Sequence, residues 1–183
     1  MDAGRATHPY SLSAPPTEQR LRITAEGIGD HSTGLANLAP GTRVAVEGPY
    51  GALTARATRA EGAVMLAGGI GITPLRALFE SLPAKPGRLD LIYRVSTAKD
   101  VLFRAELEAL AARRGGRVHL LIGSRTEHPI NAEVLRGLVA DIADRDAYVC
   151  GPPGLAAAFR NAVRAAGVPR ARIHVEGFAL DDV

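Results

Sequence analysis

Two glycine-rich turns constrain this chain more than any other feature: Gly68-Gly69-Ile70-Gly71-Ile72-Thr73-Pro74 and Cys150-Gly151-Pro152-Pro153. Each closes a short apolar run, at 63–67 and 147–149, and each opens an amphipathic helical pattern. A strand, a glycine turn and a helix in that order leave the first amides of the helix pointing outward, where they attract an anion. Two such turns in one α/β unit predict a pocket between them, at the carboxyl ends of the strands.

The pattern around these turns alternates regularly. Strands are expected at 64–67, 90–95, 118–122, 147–150 and 172–175, and helices at 75–82, 102–113, 132–138 and 154–166. Strands separated by helices of this size indicate an α/β, doubly wound, parallel five-stranded sheet. Thr73 is placed to cap the first helix, with Pro74 in its first turn, where a missing N–H costs nothing. Upstream the reading changes. Short runs at 10–14, 20–26, 43–47 and 52–56 are separated by Pro, Gly and Asp, and Leu21, Ile23 and Ala25 alternate with Arg22, Thr24 and Glu26. That period of two is the mark of half-buried antiparallel strands. A short helix is expected at 33–38, with Asp30 or Ser32 as its cap. The boundary falls near residue 60, giving a β segment at 1–60 and an α/β unit at 61–183.

Composition narrows the function. Apolar residues make up 46% of the chain, enough for a buried core, and the net charge of +3 is mild. The basic residues are scattered along expected helices, which argues against nucleic acid as a partner. A single cysteine excludes an internal disulfide and fits a reducing compartment. No Cys or His pair has metal-ligand spacing, so no metal site is expected. The longest uncharged stretch, 62–75, is interrupted by four glycines and falls short of the roughly 20 residues a membrane span needs. With no apolar leader at the N-terminus, the reading is a cytoplasmic polypeptide that does not itself insert into a membrane.

Four further motifs complete the pattern: His8-Pro9-Tyr10-Ser11, Gly29-Asp30-His31-Ser32, Gly48-Pro49-Tyr50-Gly51 and Glu176-Gly177-Phe178. Together with the two glycine turns, in this order across residues 7–178, they resemble the ferredoxin–NADP reductase superfamily. The resemblance implies FAD and NAD(P)H as cofactors and a partial antiparallel β-barrel for the first 60 residues. In the superfamily the upstream motif is R-x-Y-S. Here Tyr10 and Ser11 match while His8 replaces the arginine, the variant associated with the ferric reductase and NADPH oxidase branch. The family barrel has six strands and this motif opens the fourth, so three strands are missing from the sequence. Either the chain is an excerpt of a longer protein or its flavin half has degenerated.

The resemblance also assigns roles. His8, Pro9, Tyr10 and Ser11 would face the isoalloxazine, with Ser11 near N5, while Gly29, Asp30 and Ser32 would hold the FAD diphosphate and Gly48 would lie in the turn that closes the flavin domain. Gly69, Gly71, Thr73, Pro74, Gly151 and Pro152 would bind the nicotinamide nucleotide. Cys150 would form the wall beside the nicotinamide C4, with no covalent bond, and Glu176 and Phe178 would complete the hydride site. Arg94 ends the second strand of the unit, where the family meets the adenosine ribose. An arginine there suits a 2′-phosphate and favours NADPH over NADH. The implied activity is hydride transfer from NAD(P)H to FAD, with electrons passing on singly to haem or ferric iron. The implied partner is a haem-bearing membrane domain of the same longer protein. Two alternatives remain: the reductase component of a soluble oxygenase or a flavin reductase, and a nucleotide-binding interaction module that has lost flavin.

Overall fold

The structure, a computed structural model, describes residues 8–48, 50–51 and 53–177. Five strands, β1 (Ala63–Gly68), β2 (Leu89–Val95), β3 (Arg117–Ile122), β4 (Asp146–Gly151) and β5 (Ile173–Gly177), form one sheet in the order β3-β2-β1-β4-β5. Every pairing is parallel. The helices are α1 (Asp30–Gly34), α2 (Ile72–Ser81), α3 (Arg104–Arg114), α4 (Ala132–Leu138) and α5 (Pro153–Ala165). Among the described residues no helix is long and apolar enough to cross a membrane.

Strand sequences explain the layering. β1 and β4 are buried at every position, because parallel strands covered on both faces have no solvent side to alternate with. One face packs Met65, Leu91, Tyr93 and Tyr148 against Leu75 and Phe79 of α2 and Leu107 and Leu110 of α3. The other packs Leu66, Ile92 and Val149 against Leu135 of α4 and Phe159 and Val163 of α5. Each such side chain contributes about 1.5–3 kcal/mol when fully buried. The strand order reverses at β1, with β2 on one side and β4 on the other, and this opens a crevice at their carboxyl ends.

A charged cluster closes the opposite, amino-terminal edge. Asp90 is buried and accepts from Arg117 at 2.8 and 3.0 Å, from Arg145 at 2.7 Å, and meets His119 Nε2 at 2.7 Å. Burial on its own would raise this carboxyl. Hydrogen bonds from His119 and Arg117 and the charge of Arg145 outweigh it and hold Asp90 at about 2. Arg145 also bonds Asp141 at 2.8 and 2.6 Å, so the buried guanidinium is matched on two sides.

The five expected strands and four expected helices of the α/β unit all form, their ends within two residues of those expected except the start of α2, which comes three residues earlier, at Ile72. The upstream segment differs. Among its described residues the antiparallel ladder comes down to two isolated bridges, Leu12 with Ile23 and Thr17 with Arg20. Residues 43–47 are exposed and irregular, and Ala55–Ala57 is a 3₁₀ turn instead of strand. An antiparallel strand becomes regular only when a neighbour supplies its ladder, and these residues have none. The upstream helix begins earlier than expected, at Asp30. Its N-cap is Gly29, while Ser32 reaches back from the third position to accept from the Gly29 amide at 3.1 Å. Neither Asp30 nor Ser32 is therefore the cap. Thr73 is not a cap either: α2 starts at Ile72, and the buried Thr73 hydroxyl donates to the Ile70 carbonyl at 3.1 Å.

Candidate functional site

The two glycine turns, distant in sequence, are in contact. A Cβ on Gly71 would be driven onto the Cys150 carbonyl, so only glycine lets the start of α2 lie this close to the end of β4. Gly69 takes a φ of 53°, the left-handed region, in the 3₁₀ turn that carries β1 into α2. At β4 the chain passes through Gly151 and Pro152 into α5, whose first residue is Pro153.

Between these turns and the ends of β2 and β3 lies a cleft of about 1070 Å³, at the upper end of the size range for small-molecule sites. Gly68, Gly69 and Pro152 form its floor. Arg94, Lys99 and Arg125 form a cationic flank, and Thr24, Ala25 and Glu26 of the upstream segment close it from above. Burial and the neighbouring charge of Arg125 both lower the proton affinity of Arg94. Two guanidiniums held this near each other suit an anion with more than one charge, bound beside outward-facing amides.

The expected nucleotide residues divide into two sets. Gly69, Arg94 and Pro152 line the cleft, whereas Gly71, Thr73, Pro74 and Gly151 are not among its lining residues and support it from behind. Cys150 is fully buried, and its thiol is pushed up to about 12 by burial and by the Glu176 carboxylate, which sits opposite in the strand register. It is a neutral thiol at physiological pH, which suits a packing wall and does not suit a nucleophile. Leu53 and Ala55 pack against the core cluster that contains it.

Of the expected flavin segments, His8-Pro9-Tyr10-Ser11 and Gly29-Asp30-His31-Ser32 are joined through one ring contact. The His8 and His31 rings lie 4.2 Å apart between centroids, tilted by 36°, which brings His8 beside α1. Tyr10 is exposed and Ser11 half-buried. The Ser32 hydroxyl is occupied within its own turn, accepting from Ile28 and Gly29 and donating to the Gly29 carbonyl. Gly48 lies on the exposed approach to β1, next to Tyr50, whose hydroxyl bonds Glu47. Phe178 lies outside the described residues.

Lys99, Ser124, Arg125 and Glu26 were not among the residues singled out from sequence. A signal for the first three existed: they follow the ends of β2 and β3, and ligands of a doubly wound sheet bind beyond strand ends. Glu26 carries no local mark and reaches the cleft only through the tertiary fold. Among the described residues no group of three His, Cys, Asp or Glu side chains gathers as for a metal ion.

Comparisons with known proteins agree with this geometry. A family model described as the oxidoreductase NAD-binding domain matches residues 65–161, more than half of the chain. The ferredoxin reductase component of a 3-ketosteroid-9-alpha-monooxygenase from Mycolicibacterium smegmatis is 34% identical over 181 residues, covering 96% of this chain and 51% of that protein. The ferredoxin–NAD(+) reductase component of an alkene monooxygenase system from Xanthobacter autotrophicus is 33% identical over 151 residues, covering 76% of this chain and 46% of that protein. The chain thus spans about half the length of the curated relatives it matches. Among solved structures, the flavohem-like FAD/NAD binding domain of nitric oxide dioxygenase from Vibrio cholerae superposes with a TM-score of 0.68 at 25% identity, covering 92% of this chain and 76% of that one. The chain belongs to the oxidoreductase NAD-binding domain family, within the ferredoxin reductase superfamily.

Proposed function

We propose that this chain is the nucleotide-binding end of a flavoprotein reductase that takes hydride from NAD(P)H onto FAD and delivers the electrons singly to a protein acceptor. Residues 1–60 would be the flavin-side segment and 61–183 the nucleotide-binding unit. The bound nicotinamide and flavin supply the redox chemistry; the protein binds, orients and excludes water. The observation that carries the reading is the cleft, in which a glycine floor is flanked by Arg94, Lys99 and Arg125.

Each role follows from position. The Gly68–Gly69 turn and the start of α2 offer amides to a pyrophosphate. Arg94, beside Arg125, would accept a 2′-phosphate, which favours NADPH over NADH. Cys150 would hold the nicotinamide ring by shape, because a neutral, buried thiol offers bulk without charge. Glu176 stands across from it on β5, where it would exchange a proton with the site, and Phe178 would cover the flavin. Ser11, with His8, Pro9 and Tyr10, would contact the flavin ring, a reading supported by the approach of His8 to His31 of α1.

For the acceptor, the two monooxygenase reductase components among the relatives support a ferredoxin or oxygenase partner. A second reading rests on His8, which stands where the superfamily motif has arginine, and gives a ferric-reductase-like chain whose electrons go to a haem-bearing domain. The test is to supply the purified protein with FAD and NADPH, follow bleaching of the flavin absorbance, and then offer a [2Fe–2S] ferredoxin or a ferric chelate. Bleaching followed by faster reoxidation with the ferredoxin is expected. Tight NADPH binding with no bleaching would leave a nucleotide-binding module and overturn the reductase reading.

A further inference from the structure

Three charged side chains outside the cleft join its two walls. Arg22, in the upstream segment, donates to both carboxylate oxygens of Glu106 on α3, at 3.2 and 3.1 Å. The same guanidinium donates to the Ser13 carbonyl at 2.6 Å and to the Ser13 hydroxyl at 3.1 Å, and lies 5.1 Å from the centroid of the Phe103 ring. From α2, the buried Arg76 donates to the Ser13 carbonyl at 3.2 Å and pairs with Glu106 at 3.0 Å. Two guanidiniums therefore share both one carbonyl and one carboxylate, a network between the upstream segment and two helices of the α/β unit. Phe103, under Arg22, is the only non-glycine among the described residues with a positive φ, at 58°. Such a conformation persists only where its surroundings hold it.

The network sits where the two proposed cofactors must be brought into register. Ser13 follows Ser11 by two residues in the flavin-side segment. Thr24, Ala25 and Glu26, just beyond Arg22, close the nucleotide cleft, and α2, which carries Arg76, starts at the glycine turn on the cleft floor. Neither Arg22, Arg76 nor Glu106 lines the cleft itself. We infer that Arg22, Arg76 and Glu106 are positioning residues, which fasten the flavin-side segment to α2 and α3 and so set the distance that hydride must cross. This rests on the reductase reading above. Arg22 and Glu106 are partly exposed, and the buried Arg76 keeps Glu80, 2.6 Å away on its own helix, so loss of the Glu106 pairs should perturb the stability of the α/β core little. Hydride transfer depends on geometry far more steeply, since a displacement of about 1 Å can cost on the order of 100-fold in rate. The arrangement also needs a guanidinium, because a lysine cannot reach two carboxylate oxygens and a carbonyl from one planar group.

Two measurements on the full chain test this. In the cofactor-free protein, the Ser13 amide donates to the Arg22 carbonyl at 2.8 Å, and its hydrogen exchange reports whether the segment is held. Glu106→Ala should speed that exchange about tenfold or more and leave the amides of β1, β2 and β4 unchanged. With FAD and NADPH, the same variant should lower the rate of flavin reduction at saturating nucleotide about tenfold, with KM for NADPH within about twofold. Arg22→Lys should behave like Glu106→Ala. Unchanged Ser13 exchange, full activity in Arg22→Lys, or a rise in KM matching the fall in kcat would each overturn the positioning role. Failure of the unsubstituted protein to reduce flavin would remove the reductase reading and the positioning role with it, while the exchange result would still decide whether the fastening exists.

Discussion

The residues before and after position 60 meet water in opposite ways. In the α/β unit every side chain of β1 and β4 is buried, and the helices that cover them lie within the same stretch of chain. In the upstream segment Val44, Val46 and Tyr50 are 67%, 69% and 78% exposed, and Leu21, Ile23 and Ile28 are exposed as well. Both regions are rich in β-forming residues, so propensity does not separate them. Coverage does. A parallel strand followed by its own crossover helix brings its lid with it, whereas an antiparallel strand is completed only by a neighbour in the ladder. Beyond the packing of Leu53 and Ala55, the upstream segment is held by charged groups, Arg22 and Arg76 at one end and Asp146 at the other, which accepts from the Arg59 and Ala60 amides at 2.8 and 2.5 Å.

The largest expected effect tests whether the α/β unit stands on its own core. Asp90→Ala would leave the buried Arg145 with Asp141 as its one carboxylate partner, and removing one member of such a cluster costs about 3–5 kcal/mol. Urea unfolding followed by circular dichroism would show the loss, and a cost under about 1 kcal/mol would break the contrast. The same group gives a pH signature. Because the folded Asp90 carboxyl sits at about 2, below its ordinary 3.8, its contribution is complete above 3.8 and disappears as pH falls through about 2. The unsubstituted protein should therefore lose more stability than Asp90→Ala over that window.

Cys150→Ser probes the seam where the upstream segment lies over the sheet. Nucleotide affinity should hold while flavin reduction slows by about 10- to 100-fold, through misplacement alone. Mass spectrometry after treatment with a mild thiol alkylator should find Cys150 unmodified at pH 8, since the thiol is buried and held near 12. Rapid alkylation in the native protein would mean that the wall is open. Gly71→Ala forces a methyl group against the Cys150 carbonyl and should cost about 1–3 kcal/mol with a clear fall in NADPH affinity, read by calorimetry. Arg94→Ala should weaken NADPH binding roughly tenfold, about 1.4 kcal/mol, and leave NADH nearly unchanged. Equal losses for both nucleotides would defeat the 2′-phosphate assignment. The smallest effect belongs upstream. Gly34 lies in α1 with a helical φ of −61° and open space around its Cα, so Gly34→Ala should shift stability by no more than about 0.5–1 kcal/mol, in the stabilising direction.

Much of the site was legible because its parts lie at strand ends. Gly69 and Pro152 follow from a strand–turn–helix pattern, Arg94 and Cys150 from the family resemblance at strand ends, and all four lie at one crevice or immediately behind it. A threonine before a proline reads as a helix start, whereas the 3₁₀ turn Gly69–Gly71 brings the start forward to Ile72, with Gly71 as its cap, and turns the Thr73 hydroxyl back to Ile70. Lys99 and Arg125 were missed because neither stands in a glycine turn, although both follow the ends of cleft-forming strands.

By itself the sequence determined the α/β unit: the period of apolar residues, the glycines at two turns and the prolines at two helix starts are local signals that agree with one another. Only the tertiary structure decided which charges act together. Arg22 with Glu106, Asp90 with Arg145 and Asp146 with the backbone of Arg59 and Ala60 are all pairs far apart in the chain. Their partners are chosen by the packing that removes them from water, and no local pattern records that choice.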